Sequence, residues 1–502
     1  MGALPGTLAA APVAMHMRGL LDISVPWWIG VPIIVFWVVV AAMIIRDDRD
    51  PARAITWLFV ILILPVVGLF LFLLFGRDWK VISARRHRRQ RTMAAILARM
   101  TPLYERNGAA GGRFAREYED TAAESVSRLI LRDNAAPVLP AASLEIFTAG
   151  ADKFGRLEED LAAAQRFIHL EYFIWQKDEL TAKITAILLE RLAAGVKVRI
   201  LYDFLGAVHT GKSELKRLEA AGAEVSADVT SAFKLNYRNH RKIAVIDGGI
   251  GYTGGMNMGQ EYIDGGRRFP LWRDTHVRIT GQAVAELQKL FSIRWLEDEQ
   301  EDILVDEYLQ APDGDGAGGI LTQTVAHAVE DHWEAARRAH MVAIAGARRT
   351  LHIQSPYFVP DQAIYDNMLN AAQRGVELHF MMTGDRQVDK KLPFWAAQTY
   401  YRPLLESGAR IYQYEAGFFH AKTIVVDGEF GAIGTMNMDI RSLRLHKELM
   451  LWIYDRPTAA QMLGTFEDDL RHCREITLAD LDAVPALIRF RNSVARLFSA
   501  QI

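Results

Sequence analysis

From about residue 130 onward the chain is written twice, and this repeat restricts it to folds built from two like halves. Ile168-His169-Leu170-Glu171-Tyr172-Phe173 returns as Leu351-His352-Ile353-Gln354, followed by Ser355-Pro356-Tyr357-Phe358. Gly195-Val196-Lys197-Val198-Arg199-Ile200-Leu201 returns as Gly375-Val376-Glu377-Leu378-His379-Phe380-Met381. His240-x-Lys242-x4-Asp247 returns as His420-x-Lys422-x4-Asp427. Three blocks in one order at nearly one spacing are too regular for chance.

Each half alternates short β-rich runs with helical segments, as where Leu180 to Ala194 leads into the run at Val196. That order predicts α/β lobes with largely parallel strands and right-handed crossovers. Each His motif runs into an apolar stretch, 243–246 or 423–426, expected as a buried strand ending at Asp247 or Asp427. Histidine and lysine then sit two residues apart at a strand start, with side chains on one face. Ala311-Pro312-Asp313-Gly314-Asp315-Gly316-Ala317-Gly318-Gly319 has the composition of a linker between two similar lobes.

The full motif in both halves is H-x-K-x4-D-x6-G-[GT]-x-N, reaching Asn257 in the first and Asn437 in the second. A lone histidine or a single H-x-K triplet carries no chemistry, but equivalent copies in two lobes do. Imidazole can act as nucleophile or as acid and base near neutral pH. Lysine, the backbone amides of the glycine turn and the amides of Asn257 and Asn437 can hold phosphate oxygens. With Lys242 and Lys422 each contributing a charge, a phosphodiester is held from both sides without a metal, and the histidine spacing is not that of a zinc site. Aligning the halves also pairs Asp274 with Glu448, each at a strand start about thirty residues after its histidine. A carboxylate accepting from one ring N–H fixes the tautomer and leaves the other nitrogen to react.

Overall charge, −2 with 50% hydrophobic residues, excludes a disordered chain and gives no sign of a general nucleic-acid binder. The single cysteine, Cys473, excludes a disulfide framework or thiolate metal cluster within the chain. Ahead of the repeat lie two uncharged runs, 25–45 and 54–75, each long enough to cross a hydrocarbon core of about 30 Å. Arg46-Asp47-Asp48-Arg49-Asp50-Pro51-Ala52-Arg53 joins them, and Trp27, Trp28, Trp57 and Trp79 lie near their ends. Arg77, Lys80, Arg85, Arg86, Arg88, Arg89 and Arg91 follow the second run. The positive-inside rule then puts the C-terminal bulk in the cytoplasm, and the same charges can gather anionic lipid headgroups. The expected organisation is a two-helix transmembrane hairpin (1–80), a basic juxtamembrane linker (81–130), a first lobe (131–310), a linker (311–319), and a second lobe with a C-terminal helix (320–502).

The paired motifs resemble the phospholipase D superfamily, and the chain as a whole resembles its bacterial cardiolipin synthases. Besides the motifs, the likeness rests on Asp50-Pro51-Ala52-Arg53-Ala54-Ile55-Thr56-Trp57, on Gly254-Gly255-Met256-Asn257-Met258-Gly259, on Ser355-Pro356-Tyr357-Phe358-Val359-Pro360-Asp361 and on the tail Ala495-Arg496-Leu497-Phe498-Ser499. The motifs specify the superfamily; the hairpin and tail narrow it to the synthases. The resemblance implies two phospholipase D-type α/β lobes packed as a pseudo-twofold pair behind the hairpin. It also implies an enzyme of the bacterial inner membrane that needs no cofactor or metal and joins two phosphatidylglycerols into cardiolipin and glycerol.

Carried onto these residues, one histidine forms a phosphohistidine while the other protonates the departing glycerol and then deprotonates the acceptor hydroxyl. His240 is assigned as nucleophile and His420 as acid and base, with Asp247 and Asp427 bracing loops and lysines. Two departures bear on the headgroup: Gln260 stands where an acid is common, and His446-Lys447 replaces the usual Asn-Phe before Glu448. Tyr172, Phe173, Tyr357 and Phe358 are either pocket lining or core. Hydrolysis to phosphatidate uses the same intermediate, a nuclease would use the same residues, and a membrane scaffold would need none of them. The C-terminal segment, with Leu487, Ile488, Phe490, Val494, Leu497 and Phe498 among Arg489, Arg491 and Arg496, either lies on a membrane or packs on a lobe, and packing is the favoured expectation.

Overall fold

A computed structural model of the chain describes residues 26–46, 51–73, 84–204, 206, 212–228, 238–299, 301–309, 319–327 and 334–499. It divides into an N-terminal unit and a body that begins at Ser83. In the first unit, Val40 and Ile44 of helix Trp27–Arg46 are buried with Ile61 and Phe72. The second apolar run, expected as one spanning helix, is two: Pro51–Ile63 and Pro65–Leu71. Proline 65 has no N–H to continue the ladder and its ring crowds the preceding turn, so the helix breaks there. Gly68 lets the two pieces close, since a Cβ there would meet the Val60 carbonyl oxygen at 2.7 Å. Among the described residues no helix is long and apolar enough to cross a membrane.

In the body, the first half forms a seven-stranded sheet ordered Ser143–Phe147, His276–Thr280, Ile250–Gly254, Ile243–Ile246, Phe167–Tyr172, Lys197–Asp203, Glu224–Asp228. The second half repeats this centre. Ile168 pairs with Val198 and Ile246, and Leu351 pairs with Leu378 and Val426. The expected largely parallel sheet is corrected to a mixed one. Helix crossovers make Phe167–Tyr172, Lys197–Asp203 and Glu224–Asp228 parallel, while the strands after the His motif are antiparallel. The cause is the turn that follows each motif strand. Asp247-Gly248 has φ 51° and 71° and Asp427-Gly428 has 55° and 67°, left-handed pairs that reverse the chain in a tight hairpin.

The lobes pack on each other as expected of a pair, with strand pairing that crosses the boundary drawn at 311. Leu139–Ala141 pairs with Ile320–His327 in the second sheet. Leu201, Val245 and Val277 from one sheet share a core with Val425, Leu451 and Ile453 from the other, around helix Val284–Glu299. The expected juxtamembrane linker is corrected as well. Its described part is three helices, Ala84–Arg106, Gly108–Glu117 and Ala122–Asn134, the last running through the boundary at 131. Their apolar stripes have somewhere to go. Ile96, Met100 and Leu103 enter the shared core, and Phe114, Val126 and Ile130 pack in the second lobe with Ala339 and Ala343. Of the 311–319 linker, all but Gly319 lies outside the described residues, as do the 47–50 stretch and the side chains of the basic run.

The C-terminal helix Ala486–Arg496 packs on the second lobe through Asn492 and Ala495, with Arg491 over the Trp395 ring and Arg496 over Tyr400. Packing was the expected outcome, yet it covers one face only. Leu487, Phe490, Val494, Leu497 and Phe498 remain exposed.

Candidate active site

Each His motif is zipped by its backbone to the opposite lobe. The His240 N–H donates to the Lys447 carbonyl at 2.9 Å, and the His420 N–H donates to the Arg273 carbonyl at 2.7 Å. Lys447 and Arg273 each immediately precede the carboxylate that sequence comparison singled out. The result is a crossed arrangement: His240 Nδ1 lies 3.1 Å from both oxygens of Glu448, and His420 Nδ1 lies 2.7 Å from Asp274 Oδ2. Each imidazole thus has Nδ1 engaged, which leaves Nε2 as the reactive nitrogen.

The variable place in G-[GT] is explained by the same carboxylates. At Gly255 a Cβ would fall 2.0 Å from Asp274 Oδ1, so nothing larger than glycine fits. At the matching place Thr435 uses its hydroxyl to donate to Glu448. Asp274 is further held by the Thr275 N–H at 2.7 Å. Arg273, beside it, makes a two-pronged pair with Asp469 at 2.8 Å for each prong. Neither Thr435 nor Asp469 was singled out from sequence, although the G-[GT] alternation marked the place of the first.

Lys242 and Lys422 are buried and donate to the carbonyls of their own histidines, His240 at 2.6 Å and His420 respectively. Burial is the main cause pushing Lys242 down to about 7 and Lys422 down to about 8, with attraction from Glu448 and Asp274 acting the other way. Burial, then Lys422, lowers His420 to about 4 despite its Asp274 partner. His240 falls well below the usual imidazole range through burial and the nearby Lys242 and Lys422. Burial works to raise Asp274, but Lys422 and His420 outweigh it and hold that carboxyl below its usual value. A bound phosphodiester would add negative charge beside these lysines and histidines and raise each of them.

The remaining expectations divide. Phe173 meets His240 edge-on at 5.3 Å between ring centroids, and Tyr357 lines a concavity beside the site. Tyr172 lies in the first lobe's core, and Phe358 belongs both to the second lobe's core and to the wall of that concavity. Asn257 is committed to Tyr262 and to the Ile174 N–H, at 2.7 and 3.3 Å, while Asn437 Oδ1 is buried without a hydrogen-bond partner. Asp247 and Asp427 are not brought to the histidines. They stand at the far ends of four-residue strands, roughly 13 Å along, where Asp247 accepts from the N–H groups of Gln165, Arg166 and Phe167 and Asp427 from those of Arg348, Arg349 and Thr350. Each binds the backbone of a neighbouring loop, and neither touches the lysines.

His446 sits near Glu448, Nδ1 to Oε1 at 3.7 Å. His240, His446 and Glu448 bring ligand atoms within 4.8 Å of one another, the set among the described residues that could hold a metal ion. The Glu448 carboxylate is, however, already the partner of His240.

Two lobes facing each other with crossed His–carboxylate pairs and two buried lysines define an enzyme of the phospholipase D type. The likeness extends to a solved structure, the phosphatidylserine synthase of Haemophilus influenzae Rd KW20, at a TM-score of 0.58 over 75% of this chain and 100% of that one, a shared fold at 14% identity. The chain belongs to the cardiolipin synthase family: the family model described as cardiolipin synthase, PLD-like domain, matches residues 157–295 and 341–470. A second model, phospholipase D-nuclease N-terminal, matches residues 35–77. The cardiolipin synthase of Geobacillus kaustophilus is 36% identical over 92% of this chain and 91% of its own length. The major cardiolipin synthase of Bacillus subtilis is 34% identical over 91% and 95%.

Proposed function

We propose that this protein makes cardiolipin from two molecules of phosphatidylglycerol, releasing glycerol. The observation that carries the reading is the crossed pair of histidines, each oriented by the other lobe's carboxylate, around two buried lysines. His240 Nε2 attacks the phosphorus of the donor lipid, the bond to the glycerol oxygen breaks, and His420 gives that oxygen a proton. His420 then takes the proton of an acceptor lipid's glycerol hydroxyl, whose oxygen forms the new bond to phosphorus as the bond to His240 breaks. For the first step His420 must be protonated. The anionic phosphate provides for this by raising an imidazole that is low in the empty site. Lys242 and Lys422 hold the non-bridging oxygens, and the scheme uses no metal.

The substrate sits in a bilayer, and the N-terminal unit is read as its anchor. Support comes from the apolar runs 25–45 and 54–75, from the match of residues 35–77 to the phospholipase D-nuclease N-terminal model, and from the basic run that follows. In this reading the body faces the cytoplasm of a bacterial cell, against the inner membrane. A nuclease using the same residues would have no use for such a segment.

Purified protein in detergent, given labelled phosphatidylglycerol with chelator present, is expected to release glycerol and form a lipid with two phosphates. Phosphatidate as the only product would reject the transferase reading in favour of hydrolysis.

A further inference from the structure

One narrow cleft adjoins the site on the His420 side, closed as it stands to a water-sized molecule, so that whatever enters it must part its walls. Its wall includes Tyr357, Thr383, Asp389, Lys390, Phe394 and Phe418. Phe418 connects it to the chemistry, because its ring lies against that of His420 with centroids 5.4 Å apart. Asp389 is fixed there by the Tyr357 hydroxyl, which donates to Oδ2 at 2.5 Å. Its second oxygen, Oδ1, is buried and has no hydrogen-bond partner. A carboxylate oxygen left so is costly, on the order of a lost charged hydrogen bond, unless something that visits the site satisfies it.

The surroundings say what that visitor is. Asp389 is close enough to Lys422 to act on its protonation, and Lys390 is close enough to act on that of His240. A phosphate would be repelled by the carboxylate and is better placed on the lysines. A cationic headgroup would face Lys242, Lys390 and Lys422 together. Neutral hydroxyl groups avoid both penalties, and each donates the hydrogen bond that Oδ1 lacks.

We infer that Asp389 is the headgroup-specificity residue, accepting hydrogen bonds from the two free hydroxyls of the donor lipid's glycerol and from the one hydroxyl of the acceptor's glycerol that neither attacks nor carries its own phosphate. The inference rests on the transferase reading above and deepens it. Leaving glycerol and attacking hydroxyl both use the His420 side, so Asp389 meets two free hydroxyls in the first half-reaction and one in the second. Asp389 takes no part in bond making and acts as a filter on the alcohol.

The test is a competition in one tube. Full-length protein in mixed micelles receives phosphatidylglycerol with deuterated glycerol and ethanol at equal concentration, and mass spectrometry reads deuterated phosphatidylglycerol against phosphatidylethanol. The ratio does not depend on how much enzyme is folded. Wild type is expected to favour glycerol, and Asp389→Asn, which keeps the shape of the side chain, to lower the ratio by about tenfold. Tyr357→Phe, which removes the hydroxyl that aims Asp389, should lower it by less. An unchanged ratio in Asp389→Asn would overturn the inference. If wild type forms phosphatidate and neither exchange product, it is the transferase reading that fails.

Discussion

Glu448, in the second lobe, holds His240 of the first, with Nδ1 at 3.1 Å from both carboxylate oxygens, and Asp274 of the first lobe holds His420 of the second. Neither lobe therefore owns a complete histidine–carboxylate pair. The expected outcome is that Glu448→Gln and Asp274→Asn each lower kcat by about 10²–10⁴-fold, because each loses the tautomer control of one imidazole. Ring nitrogen shifts in labelled protein check the crossing: Glu448→Gln should move the signals of His240 and Asp274→Asn those of His420. The reverse pattern would refute it.

The division of labour between the histidines can be read from the intermediate. With phosphorus-labelled donor lipid, His420→Ala should still accumulate label on His240, slowly, since water and acceptor both lack their base. His240→Ala should take up none. Label appearing on His420 would exchange the two roles, and ordinary turnover in either variant would contradict a single shared site.

Much of this was legible before the fold was known, because a repeat acts as its own comparison. Matching the halves put Asp274 opposite Glu448 and placed both motifs at strand starts. What the matching could not give was which carboxylate serves which histidine. That depends on two inter-lobe backbone bonds, from His240 to Lys447 and from His420 to Arg273, and sequence carries no side-chain signal for a backbone bond. The expectation of a largely parallel sheet fails for a different reason: periodicity shows the crossover helices, while the Asp247-Gly248 and Asp427-Gly428 turns, the strongest short-range hairpin signal in either half, lie inside the motif. In 81–130 the basic charges dominate the sequence, whereas the apolar residues Phe114, Val126 and Ile130 that fix its helices to the second lobe are scattered among them.

Anion binding should carry protons with it. At pH 7.5 Lys242, at about 7, is mostly neutral and Lys422, at about 8, is only partly so, both lowered chiefly by burial. An anion placed between them raises both, so protons are taken up and affinity grows as pH falls from above 8 to below 7. Titration calorimetry with sulfate, whose own charge is constant over this range, in buffers of different ionisation heat should show net uptake, and affinity should change by about tenfold per pH unit for each proton bound. An affinity independent of pH across that range would mean that the lysines are already charged in the empty site.

The exposed side of the C-terminal helix offers a measurement of surface engagement. Leu487, Phe490, Val494, Leu497 and Phe498 share the helix and its final turn with Arg489, Arg491 and Arg496, and there is no acid among them. Leu487→Ser with Phe490→Ser should raise the apparent KM for phosphatidylglycerol in anionic vesicles several-fold and leave turnover of a short-chain, water-soluble phosphatidylglycerol unaltered. Equal effects on both substrates would assign the side chains to folding of the second lobe instead.

Asp247 and Asp427 belong to the motif by spacing and to the scaffold by position. Each carboxylate gathers three successive backbone N–H groups from the loop before the neighbouring strand, and each residue itself sits at positive φ, 51° and 55°, at the head of the hairpin. Alanine at either place loses those bonds and adopts the left-handed conformation with more strain than aspartate does, a destabilisation of about 2–4 kcal/mol. Asparagine keeps the acceptor oxygen and tolerates the backbone, and should lose less. Thermal unfolding in detergent should therefore rank wild type above Asp427→Asn above Asp427→Ala. Turnover per folded molecule, measured well below the transition, should stay within a few-fold of wild type in all three. A variant that remains fully folded yet loses activity as completely as His420→Ala would return the aspartate to the chemistry.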